Sequence, residues 1–239
     1  MPVKIASTGS YRNATIDLLR ASAVVLMLIF HFIYDLNFFS LANIDIPSGA
    51  GWRELRAVIV SLFLITMGAS LKLAYPKELD RRSFLVRMFT LASSALLVSL
   101  ASYIFIKEHW IFFGIIHFIL LASLLAISFR HSAKISLSIA ITLLGIDQLN
   151  IFPSRWPFDY IGNWLPIKTN DFVAIFPWLA FPFLGIWLAH KEVIINDPCR
   201  FFRLPKLINW ISRHSLIIYL LHQPIFLSLC FGYKQYLTY

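Results

Sequence analysis

The chain has 239 residues, 59% of them apolar and only 14% charged, with a mean hydropathy of +0.73. A soluble domain carries nearer 45–50% apolar and about 25% charged residues, and barrel strands would alternate apolar with polar positions. The continuous apolar runs point instead to an all-α, polytopic membrane helical bundle, and the net charge of +9 gathers in loops, so no nucleic-acid partner is expected.

Seven segments of about 20 residues have the length that a ~30 Å hydrocarbon core requires. The first covers residues 14–36. Lys4 and Arg12 precede it, and Ser40-Leu41-Ala42 loosely resembles a cleavage site. Asp17, Arg20, His31 and Asp35 lie in or beside the apolar core, so a retained helix is expected rather than a cleaved signal peptide. Each charge in hydrocarbon costs about 2.5–3.5 kcal/mol. At 100° per residue all four side chains fall within about 60° of one helix face. Such a line must face the bundle interior or a wet cavity. His31 and Asp35 are an i, i+4 pair, and a carboxylate beside an imidazole would orient it for work as a general base or nucleophile. Asp17 and Arg20 equally fit a structural ion pair at a helix start.

The second segment, 55–75, holds Gly68-Ala69-Ser70, small residues that permit close helix packing. The third, 84–106, carries Arg87 and follows Arg81 and Arg82. The fourth, 109–129, contains His117, and the fifth, 133–152, is the shortest. A loop rich in proline and aromatics, 153–170, follows; Trp156, Tyr160 and Trp164 suit either sugar stacking or an interfacial aromatic belt. The sixth segment is 171–190. Segment 197–211 mixes basic and apolar residues, among them Arg200 and Arg203, and suits the membrane interface. In the last segment, 212–233, Ser215, Tyr219 and His222 share a face, beside Gln223 and the helix-breaking Pro224.

With the N-terminus in the cytoplasm, fourteen of the 21 Lys and Arg residues fall on the cytoplasmic side and six on the other, so the C-terminus is expected outside. Arg81, Arg82, Arg87, Arg200 and Arg203 can hold the phosphates of an anionic cofactor, or serve as topology charge that contacts anionic lipid. No metal motif such as HExxH is present, and Cys199 precedes the last segment while Cys230 lies near its far end, so neither a metal site nor a disulfide is expected. No internal repeat is evident, and residues 1–239 read as a single domain.

The pieces IDLLRASAVVLMLIFHFIYDL, FLITMGASLKL, FFGIIHFILLASLL, DFVAIFPWLAFPFLGIWLA and ISRHSLIIYLLHQPIF span nearly the whole chain. In that order they resemble the bacterial branch of the heparan-alpha-glucosaminide N-acetyltransferase catalytic domain family. The resemblance implies a multi-pass acyltransferase of a bacterial inner membrane. It would take an acyl group from cytoplasmic acetyl-CoA to an amine or hydroxyl, such as an envelope amino sugar or glycan, on the outer face. Arg20 and His31 match the arginine and histidine of the family's first-helix motif. His117, His222, Gln223 and Pro224 match recurrent family positions. Animal members resemble users of a histidine in the following outer loop; loop 37–54 has none, so His31 is the candidate here. Asp171 matches the sixth piece loosely, since DFVAIFPW stands where the bacterial pattern is closer to DYVPLLPW. The implied catalytic group is His31, Asp35 and Arg20, within a cavity lined by Asp17, His117, Tyr219, His222 and Gln223. A proton-coupled transporter would use the same intramembrane histidines. Oligomeric state stays open, a homodimer among the options.

Overall fold

The computed structural model describes residues 12–166, 169, 171–201 and 204–237. Among them all regular structure is helical. Four helices are long and apolar enough to cross a membrane: α1 (Ala14–Phe38), α2 (Trp52–Ala74), α3 (Arg81–Phe105) and the last, Ser215–Leu237. Between them lie the shorter α4 (Ile115–Ala126), α5 (Ala133–Gln148), α6 (Ala180–Leu188), α7 (Glu192–Ile195) and α8 (Lys206–Arg213); the last helix is α9. The protein is thus a multi-pass helical membrane protein.

The four long helices match the expected first, second, third and seventh segments to within a few residues. The middle segments differ. The fourth begins as a short 3₁₀ turn at Lys107–His109 and becomes α-helical only after Gly114. With its 3₁₀ extension to Phe129 it is about 22 Å long. The sixth is helical over nine residues, because Pro177 disfavours helical geometry at Phe176 and Asp171 sits in the left-handed region at φ 54°. The stretch before α6 is therefore irregular. Arg56 on α2 holds it by donating to the Phe172 carbonyl at 2.5 Å. Irregular backbone at membrane depth is tolerated where protein buries it.

Helix ends are secured by side chains. Asn13 caps α1 by accepting from the Ile16 amide at 3.0 Å, and Asp80 caps α3 through the Arg82 and Ser83 amides. The first amides of α1, those of Ala14 and Thr15, donate to the carboxylate of Asp197, 2.9 and 2.8 Å away. Asp197 is buried, so a distant loop supplies acceptors that α1 lacks.

The main core lies among α2, α3, α4 and α6 around Leu64, Leu71, Phe118, Phe183 and Ile186. Here the small residues of α2 act as expected. A side chain on Gly68 would run into the Pro182 carbonyl, and one on Gly185 into the Ile65 carbonyl. The missing side chains let α2 and α6 meet backbone to backbone. One side of α3 stays uncovered, with Leu85, Phe89, Leu96, Leu100 and Phe105 exposed, as a lipid-facing surface would be.

Contacts along the seams fix helix directions. Arg20 meets Ser70 and Phe30 meets Trp52, so α1 and α2 are antiparallel. Arg56 meets Phe172 and Ala69 packs with Ala189, so the 171–190 segment runs in the sense of α2. Asp17 meets Ser212, His31 meets His222, and Phe39 meets Phe231, so α1 and α9 are parallel.

Candidate active site

The polar line of α1 divides into two ends with different partners. At the inner end Asp17 is clamped. Arg12 donates to both of its oxygens at 2.9 and 2.5 Å, and Ser212 of α8 donates at 2.8 Å. Hydrogen bonding to Asp17 raises Arg12 above the ordinary guanidinium range. Arg20 stands 3.9 Å from Asp17 and donates to Ser70 on α2 at 2.5 Å. The expected Asp17–Arg20 pair is therefore the weaker of two, because Arg12 has taken the carboxylate face on. Asp17 fastens α1 to α8 and does not line a cavity at the level of His31.

Arg87 is half-buried on α3. Arg81 and Arg82 are exposed at the start of α3, and Arg200 is exposed in a 3₁₀ turn. Arg203 lies outside the described residues. Of the described arginines expected at phosphates, Arg87 alone is half-buried.

At the outer half of α1 the side chains of α9 close in. The His31 and His222 rings are 4.9 Å apart between centroids and inclined by 61°. One turn further along, Asp35 is almost wholly buried, and Gln223 Nε2 donates to its two oxygens at 2.8 and 3.1 Å. Asp35 therefore does not hydrogen-bond His31 among the described residues; its i, i+4 spacing allows that contact, but the carboxylate is engaged across the seam. Tyr219 donates to Asp171 Oδ2 at 2.9 Å, tying α9 to the irregular stretch before α6. His31 and Asp35 of α1 thus meet His222 and Gln223 of α9 in one polar seam, with Asp35 and His222 buried and Tyr219 linking it to Asp171.

His117 does not join it. Its Nδ1 accepts from the Gly114 amide at 3.3 Å, which places the proton of the neutral ring on Nε2. That nitrogen is 2.9 Å from Ser99 Oγ, which itself donates to the Ile111 carbonyl. Both nitrogens are used in holding the start of α4 against α3, so the expected cavity role is replaced by a capping one. Trp156 packs on Phe152 and Phe176, with centroids 4.6 and 5.8 Å away, whereas Tyr160 stays exposed. The side chain of Trp164 lies outside the described residues.

Several site residues had no local signal. Ser212 and Asp197 act on α1 from almost the far end of the chain. Ser70 was visible only as a packing residue. The cue for Asp171 was the resemblance of its segment.

Chemically, the seam offers imidazoles that can accept or carry a proton or an acyl group, beside a fixed amide and carboxylate. Among the described residues no group of three His, Cys, Asp or Glu side chains gathers to hold a metal ion. The family model described as heparan-alpha-glucosaminide N-acetyltransferase, catalytic, matches residues 12–224. No curated protein and no solved structure matches the chain.

Proposed function

We propose that this chain, which belongs to the heparan-alpha-glucosaminide N-acetyltransferase catalytic family, is a membrane acetyltransferase that takes its acetyl group from cytoplasmic acetyl-CoA. The acceptor is an amine or hydroxyl of an envelope sugar on the outer side of a bacterial inner membrane. The observation that carries the site is the meeting of His31 with His222 inside the matched region.

Arg20 and Arg87 hold donor phosphates near the cytoplasmic face, with Arg81, Arg82 and Arg200 raising the local positive potential. From Arg20 to His31 is about 16 Å along α1, of the order of an extended pantetheine arm. The thioester then lies at the seam. His31 takes either the proton of the acceptor or the acetyl group itself.

Seven crossings, with the N-terminus inside, complete the topology. Support comes from helix direction. Parallel α1 and α9 require an odd number of crossings between them. Since α2 and α3 supply two, the region from α4 to α6 supplies an odd number. Three crossings agree with the 171–190 segment running in the sense of α2.

Equilibrium binding of labelled acetyl-CoA to the detergent-purified chain tests the donor site. Arg20→Gln is expected to weaken binding at least tenfold, since a hydrogen bond to a charged group contributes about 1.5–3 kcal/mol. Unchanged affinity in the folded variant would remove Arg20 from the donor site. No binding by folded wild type would sink the donor assignment.

A further inference from the structure

The seam holds two buried acceptors that have no partner among the described residues. His222 Nδ1 lies 2.6 Å from the Tyr219 carbonyl oxygen. A carbonyl can only accept, so the hydrogen of the neutral ring is on Nδ1 and Nε2 carries a lone pair. That Nε2 is buried and has no hydrogen-bond partner among the described residues. Gln223 is in the same condition. Its amide group faces the Asp35 carboxylate through Nε2, and an ionised carboxylate only accepts. The orientation of the amide is thereby fixed, and Oε1 is left buried and unpaired. An unpaired buried polar group carries its full desolvation cost, so each one calls for a partner or a catalytic role. Two acceptors on neighbouring residues of α9 call for a ligand group rich in N–H or O–H.

Resting on the acyl-transfer function above, we propose that His222 is the general base of the transfer and Gln223 its companion acceptor, together seating the nucleophilic amine or hydroxyl. The acceptor nitrogen or oxygen forms its bond to the acetyl carbonyl carbon as its proton passes to His222 Nε2. The bond from that carbon to its leaving atom breaks. When acetyl-CoA is attacked directly, the leaving thiolate recovers the proton from the imidazolium, and the products are the acetylated acceptor and free CoA thiol. When the acetyl group first rests on His31, CoA has already left as its thiol with the proton that the His31 ring gave up, and the leaving imidazole nitrogen then recovers the acceptor's proton. Oε1 of Gln223 holds a second hydrogen of the acceptor or a neighbouring hydroxyl. Asp35 is then a positioning residue, acting through Gln223. Of the two roles open to His31, acyl carrier is the one this leaves.

The test uses the full chain in detergent, with labelled acetyl-CoA and glucosamine as acceptor probe. His222→Asn keeps a donor for the Tyr219 carbonyl but cannot take up a proton. It is expected to bind acetyl-CoA as wild type does while kcat falls by about 10²–10⁴. Gln223→Leu removes both Oε1 and the donor that holds Asp35, and is expected to raise the acceptor KM at least about tenfold and to lower kcat, with acetyl-CoA binding retained. If glucosamine is not taken, acetyl-CoA hydrolysis reports the same step, because water must lose its proton to the same nitrogen. Wild-type turnover in His222→Asn, or loss of donor binding in step with turnover, would overturn the proposal alone. Failure of wild type to bind and turn over acetyl-CoA would overturn the acyl-transfer function and this proposal with it.

Discussion

His117 and His222 both commit Nδ1 to the backbone, yet in opposite senses. His117 accepts there from Gly114, and its Nε2 is spent on Ser99. His222 meets a carbonyl at Nδ1 and keeps a lone pair at Nε2. The first is a finished structural group and the second an unfinished one. His117→Ala should therefore cost stability, about 1–3 kcal/mol for the amide and hydroxyl it leaves unpaired, while turnover per folded molecule stays near wild type. Thermal unfolding in detergent beside specific activity checks this; normal stability with lost turnover would return His117 to the site. In the sequence the two histidines look alike, each a lone imidazole in an apolar run. What separates them is the backbone atom facing Nδ1, set by the Gly114 turn in one case and the interior of α9 in the other. Asp35 teaches the same lesson. Its spacing from His31 was legible, but its partner Gln223 is 188 residues away and was not.

At the level of elements, the close approach of α2 and α6 organises the bundle. Gly68 and Gly185 each stand against a facing backbone carbonyl, whereas Gly232 has nothing within 4 Å. Gly68→Ala should push the helices apart and cost about 1–3 kcal/mol. Gly232→Ala should do no harm, since alanine is the better helix former by about 1 kcal/mol. Unfolding midpoints of the two variants decide it; equal midpoints would contradict the packing described. The four long helices were legible because length and apolarity alone define them. The role of the Gly68 cluster was legible too, because small residues in an apolar helix have few other uses. The form of the sixth segment was not. Its apolar run continues through Pro177, but a proline and a left-handed Asp171 replace half of the expected helix with irregular chain. That interruption brings Asp171 within reach of Tyr219.

The whole molecule places a polar seam between its first and last helices. Charge bias acts on loops, so the expected orientation rests on the sequence and not on the folded contacts. The seam itself was half legible. The residues of α1 declared themselves by sharing a face, and those of α9 by type, but nothing local joined the two sets. With Cys199 and Cys230 replaced, a cysteine at Tyr160 should react with an impermeant thiol reagent on intact cells, and one at Lys134 only after permeabilisation. The reverse pattern would invert the orientation and put the acetyl donor on the wrong side. The most direct test of acetyl transfer at the α1–α9 seam is transfer of acetyl label from acetyl-CoA by wild type and His31→Ala, with glucosamine present and absent. The account predicts donor binding by both proteins, with turnover and any protein-bound acetyl group lost in His31→Ala. Undiminished turnover in that variant would contradict it.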